Sequence, residues 1–106
     1  MRIDINNRRP ILKNNVGGMS GPAVFPIAVR MVWQVANAVN IPIIGMGGIA
    51  SAEDAIEMIL AGASAVAVGT ANFYNPAITM EVVDGIEAYM KKYGFENVKD
   101  MVGIVK

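Results

Sequence analysis

The chain contains no cysteine and no histidine, and these two absences remove much of the familiar catalytic chemistry. Without Cys there is no disulfide, thiolate metal site, iron–sulfur ligand or Cys nucleophile. Without His there is no Ser-His-Asp triad and no imidazole ligand for a metal. Net charge is also missing: nine Lys and Arg balance nine Asp and Glu, for a formal charge of zero at pH 7. Neither nucleic acid nor an anionic membrane surface is expected as a partner, since both select a basic footprint. What is plentiful is apolar: 54% of the 106 residues are hydrophobic and eleven are glycine. Backbone amides, hydroxyls and glycine are the materials of a phosphate or cofactor cradle. The length suits at most one compact domain.

Residues 58–80 carry no charge and are long enough to cross a bilayer. Gly62, Ser64, Gly69, Thr70, Asn72, Asn75 and Pro76 divide that run into two elements with a loop between them. No membrane span is expected. No continuous apolar stretch follows Met1-Arg2, so no secretory signal is expected, and the expected location is the cytoplasm.

Residues 1–14 read as a hairpin. Ile3 and Ile5 alternate with Arg2, Asp4 and Asn6 in the pattern of a half-buried strand, Asn6–Arg9 form a polar turn, and Pro10-Ile11-Leu12 start a return strand. Residues 15–40 read as a glycine-rich loop and a helix from about Ala23 to Val39, with Val24, Ala28, Met31, Val32, Val35 and Val39 in one stripe. Residues 41–62 form a strand–helix unit. Its strand, Ile41-Pro42-Ile43-Ile44, has the continuous apolar character of a parallel strand buried on both faces. Its helix is announced by the Ser51-x-x-Asp54 capping spacing and stopped by Gly62. Residues 63–106 form a second such unit and a tail. Its strand spans Ala63 to Val68, Asn75-Pro76 resembles an N-cap with proline at N1, Val82, Val83, Ile86 and Met90 point inward, and Gly94 ends the helix.

Strands alternating with helices imply an α/β fold with a parallel sheet and right-handed crossovers. Two parallel strands cannot cover their own faces and edges, so the chain reads as part of something larger. Ligands in such folds bind beyond the C-terminal strand ends, and both ends carry glycine: Gly45-Met46-Gly47-Gly48 and Gly69-Thr70. Each loop alone is explained by a tight turn. Together, in adjacent units, they point to an anion held by bare backbone and helix starts. Ser20, in Gly18-Met19-Ser20-Gly21-Pro22, is accounted for by a turn leading into the helix, with approach of the Gly21 amide to a cofactor as the alternative. The eight methionines are expected mainly in the core. Trp33 is expected to serve packing or an interface.

Three blocks, Gly17-Gly18-Met19-Ser20-Gly21-Pro22-Ala23, Ile41-Pro42-Ile43-Ile44-Gly45-Met46-Gly47-Gly48-Ile49 and Ala61–Phe73, together resemble the dihydroorotate dehydrogenase family. More narrowly they resemble the class 1B catalytic subunit, over essentially the whole chain. The resemblance implies a TIM (β/α)8 barrel with FMN at its C-terminal face, of which this chain matches the C-terminal third: insertion hairpin, helix six, and units seven and eight. It implies oxidation of dihydroorotate to orotate in pyrimidine biosynthesis, with a partner subunit carrying FAD and an iron–sulfur cluster that passes electrons to NAD. By resemblance Gly21 contacts the flavin beside its ring and ribityl region, and Gly47, Gly48, Gly69 and Thr70 grip the FMN phosphate. The family's catalytic base, a Cys in class 1B, and its flavin-contacting Lys and Asn residues have no counterpart here, so the chain alone is expected to be inactive. Two other readings stand beside this one. One is a non-catalytic homo-oligomer that covers its own open edges, and the other is a phosphate-binding piece of another flavin or sugar-phosphate barrel.

Overall fold

A computed structural model describes residues 1–106. The order is β1 (Ile3–Asp4), β2 (Arg9–Pro10), α1 (Phe25–Ala36), β3 (Ile44–Met46), α2 (Ala52–Ala61), β4 (Ala65–Ala67) and α3 (Ile78–Tyr93), with short 3-10 turns at Pro22–Val24, Thr70–Phe73 and Val98–Met101. β1 and β2 pair antiparallel, Ile3 opposite Pro10 and Asp4 opposite Arg9. β3 and β4 pair parallel, Ile44 opposite Ala65, Gly45 opposite Val66 and Met46 opposite Ala67. The α/β class and parallel sheet expected from the alternation are therefore present. No helix is long and apolar enough to cross a membrane.

Helix α2 is the element whose local chemistry is most complete. The Asp54 N–H donates to Ser51 Oγ at 3.1 Å, capping the first turn. The Asp54 carboxylate accepts from the Ala50 N–H at 2.9 Å, one residue before the position a reciprocal box would use. Gly62 ends the helix at φ 129°, where an added Cβ would strike Ala36 Cβ. Beyond it, the Gly103 and Val105 N–H groups donate to the Ile59 and Leu60 carbonyls at 3.0 and 3.2 Å, so the tail satisfies acceptors that a helix end leaves open.

The core lies between the helices and one side of the sheet. Ala28 and Val32 of α1 meet Ala55, Met58 and Ala61 of α2, Ala63, and Ile78 and Val82 of α3. A second cluster gathers Ile56 and Ile59 around fully buried Met101. The turn that delivers Met101 was not anticipated from the sequence. Its signal is the Asn97/Asp100 pair, in which Asn97 Oδ1 accepts from the Lys99 N–H and Asp100 Oδ2 from the Asn97 N–H.

Several sequence expectations need correction. The hairpin forms, but its return strand is Arg9–Pro10 and Ile5 is 82% exposed: no other element covers its apolar face. β3 begins at Ile44, three residues later than expected. Neither β3 nor β4 is buried on both faces. Gly45 is buried and Val66 half-buried toward α2, whereas Ile44, Met46, Ala65 and Ala67 are exposed on the other face. Helix α3 starts at Ile78, so Asn75 lies two residues before its N-cap, Ala77. Asn75 still closes the turn, its Oδ1 accepting from the Ala77 N–H at 3.2 Å. Val83 is exposed, while Val82 is buried and Ile86 and Met90 are half-buried.

Candidate cofactor cradle

β3 and β4 run side by side in the same direction, so the loops that follow them emerge at the same end of the sheet. The chain preceding α1 joins them there: the Gly48 position is so close to α1 that an added Cβ would lie 2.7 Å from Phe25 Cβ and 2.8 Å from the Gly21 carbonyl oxygen. Between the three segments lies a cavity of about 530 Å³, within the range of small-molecule and cofactor sites. All five residues singled out from the sequence, Gly21, Gly47, Gly48, Gly69 and Thr70, line it. Ser20 lines it as well.

Its chemistry is that of bare backbone on an apolar floor. No charged side chain lines the cavity; Ser20, Thr70 and Tyr74 supply hydroxyls, and Val32, Ile44 and Met46 are among its apolar walls. The N–H groups of Gly21, Gly48 and Gly69 donate to no acceptor within the chain. Unpaired backbone donors gathered around a cavity suit an anionic or strongly accepting ligand. Gly21 adopts φ 87° and Gly69 φ −109°, and a Cβ added to either meets nothing within 4 Å. Their bareness has no packing cause in this chain. The start of α2 is only partly available, since Ser51 Oγ accepts from the Asp54 N–H and the Asp54 carboxylate, accepting from the Ala50 N–H, places negative charge there. The 3-10 turn after Gly69 has no side-chain cap.

Ile44, Met46 and Tyr74 also line the cavity and were not singled out from the sequence. The first two flank Gly45, and the period of two in a strand puts them on one face; that alternation was the available signal. No group of acidic residues is arranged to hold a metal. The two carboxylates held below their ordinary range lie elsewhere. Asp4 is held there chiefly by hydrogen bonds from the Asn7 side chain and N–H, and Glu87 by its hydrogen bond and charge pairing with Lys91.

Comparison with known proteins gives this geometry a context. A family model described as dihydroorotate dehydrogenase matches residues 1–90. The chain is 64% identical over 103 residues to the dihydroorotate dehydrogenase B (NAD(+)) catalytic subunit of Alkaliphilus oremlandii, covering 97% of this chain and 34% of that protein. It is 63% identical over 106 residues to the subunit of the same name from Lachnoclostridium phytofermentans, covering 100% and 35%. Among solved structures it resembles ligand-free DHODH from Eimeria tenella at TM-score 0.79 and 33% identity, over 92% of this chain and 28% of that one. The complex of that enzyme with ferulenol matches at TM-score 0.78 and 30% identity, over 97% and 28%. The chain spans about a third of the length of the curated relatives it matches.

Proposed function

The chain belongs to the dihydroorotate dehydrogenase family, and on that premise we propose that it supplies the FMN-phosphate side of a flavin site in an enzyme that oxidises dihydroorotate to orotate in pyrimidine biosynthesis. The observation that carries this reading is the convergence of Gly21, Gly47, Gly48, Gly69 and Thr70 on one cavity, with the N–H groups of Gly21, Gly48 and Gly69 unpaired. The residues fit the group: a phosphate dianion requires donors and room near the backbone, and the cavity offers both without a competing carboxylate. The loops after β3 and β4 hold the phosphate, with the Thr70 hydroxyl as an additional donor. Gly21 leaves space beside the ring, and Ile44 and Met46 exclude water from the apolar side. A flavin held here would supply the hydride acceptor for the substrate. No residue of this chain is placed to take the accompanying proton, since the cavity lining contains no Cys, His, Asp, Glu or Lys.

In this reading β3–α2 and β4–α3 are the seventh and eighth units of a (β/α)8 barrel, preceded by its insertion hairpin and sixth helix. The bare face of Ile44, Met46, Ala65 and Ala67 is its interior, where inward side chains of neighbouring strands stack in layers. The assembled enzyme is cytoplasmic and works with a subunit carrying FAD and an iron–sulfur cluster. This chain alone has no turnover. Titration with FMN and with riboflavin, followed by flavin fluorescence, tests the assignment. FMN should bind at least about tenfold more tightly, because only it presents the phosphate. Equal affinities, or dihydroorotate oxidation by the pure chain, would overturn it. A second reading, self-association into a homo-oligomer, is favoured by the exposed apolar strand face.

A further inference from the structure

Asn72 follows the second glycine loop, exposed to solvent and outside the cavity lining, whereas Val68, Gly69 and Thr70 all line the cavity. Its side-chain amide donates to the Val68 carbonyl at 2.8 Å and to the Gly69 carbonyl at 3.1 Å. Its own N–H donates to the Gly69 carbonyl as well, at 3.1 Å. Both peptide bonds concerned are trans, and in a planar trans peptide the N–H points away from the C=O. Two carbonyls drawn to one side chain therefore turn two amides, the N–H of Gly69 and that of Thr70, to the opposite side. The paired register of β3 and β4 ends at Met46 and Ala67, and Gly69, at φ −109° and ψ −95°, is neither helix nor strand. Beyond the ladder, Asn72 holds the two planes.

The same bond made elsewhere does a different task. The Asn37 side chain donates to the Trp33 carbonyl, four residues back, also at 2.8 Å. That carbonyl accepts the Asn37 N–H too, and the pair closes the end of α1, where a helix leaves carbonyls open. The carbonyls that Asn72 takes belong instead to a stretch that forms a wall of the cavity. We propose that Asn72 is a positioning residue for the cradle. It keeps the Val68 and Gly69 carbonyl oxygens away from the cavity, so that the Gly69 and Thr70 N–H groups face a bound phosphate. Reversing either plane would present a carbonyl oxygen to the anion in place of a donor. The inference deepens the functional reading above and rests on it for the identity of the anion.

The test measures FMN and riboflavin affinity by flavin fluorescence for the chain and for Asn72→Ala, Asn72→Asp and Asn37→Ala. Aspartate keeps the size of the side chain and, ionised, has no hydrogen to donate. Each Asn72 variant should weaken FMN about tenfold and riboflavin less than about twofold, because only FMN carries the phosphate that the two amides meet. Asn37→Ala should leave the ratio of the two affinities unchanged. When inorganic phosphate is titrated into nitrogen-labelled chain, the Gly69 and Thr70 amide protons should shift downfield in NMR spectra, and in the Asn72 variants they should not. Equal losses for FMN and riboflavin, an unchanged ratio, or phosphate shifts that persist in both variants would each overturn the positioning role. Loss of helical circular dichroism in both variants would also overturn it, assigning Asn72 to the fold instead of the cradle. An unaltered chain that binds FMN no better than riboflavin would overturn the functional reading, and the phosphate titration then decides the role of Asn72 by itself.

Discussion

The two glycine loops of the cradle have similar sequence and different physical causes. After β3, Gly48 sits at φ 77° with Phe25 and the Gly21 carbonyl too near for any Cβ, and Gly47 at φ 115° lies against Ala28. Glycine is required there by the chain's own packing against α1. After β4, Gly69 has a negative φ and nothing within 4 Å of an added Cβ. The first loop then enters a helix capped by Ser51 at the Asp54 N–H, whereas the second enters an uncapped 3-10 turn. The first loop builds the frame, and the second is open on the cavity side. Glycine by itself does not distinguish these roles; its surroundings do.

The largest expected effect comes from breaking the frame. Gly48→Ala combines left-handed backbone with overlap against Phe25 and should cost about 3 kcal/mol of unfolding free energy in denaturant titration. A change below half a kcal/mol would mean that the first loop is as open as the second. Gly69→Ala should leave the unfolding midpoint nearly unchanged and weaken FMN binding about tenfold, or about 1.4 kcal/mol. Loss of stability without loss of FMN affinity would reverse the contrast between the loops. Removing the cap that belongs to the first loop alone, Ser51→Ala, should destabilise by about 1 kcal/mol with FMN affinity preserved. If FMN affinity fell instead, the α2 start would be part of the grip.

The smallest effect is a control away from both loops. Glu87 accepts from Lys91 at 2.6 Å on the exposed face of α3, and its carboxyl is held below the ordinary range. A depressed folded value means that this contribution is present above the unfolded pKa, near 4.3, and is lost as pH falls through the lower folded value. Glu87→Gln should flatten that part of the acid limb of a stability–pH curve and leave both loops unaffected. A matching change in FMN affinity would show that the α3 surface communicates with the cradle.

Elements whose signals are local were legible in the sequence. Ser51 and Asp54 announced α2, Gly62 and Gly94 ended helices, and the strand–helix alternation gave the parallel pair. The convergence of the two strand-end loops, Gly47-Gly48 and Gly69-Thr70, on one cavity was legible for the same reason, since a glycine at a strand end leaves its mark within a few positions. The hairpin's apolar pattern was read correctly as alternation and wrongly as burial, because alternation reports which side a residue faces and not whether anything lies there. A different signal misled at β3, where the continuous apolar run Ile41-Pro42-Ile43-Ile44 was read as burial on both faces.

The sequence by itself determined the order of elements, their caps and stops, and the glycine positions, because these depend on backbone conformations and hydrogen bonds among residues a few apart. Tertiary structure alone decided which glycine is held by packing and which is bare, that Tyr74 and Met46 join one cavity, and that Met101 fills the space beneath α2. Those outcomes depend on distances between segments remote in sequence, and no local pattern carries them. Tertiary structure also revealed the uncovered face of Ile44, Met46, Ala65 and Ala67, since an apolar run has the same composition whether its second face is covered or open to water.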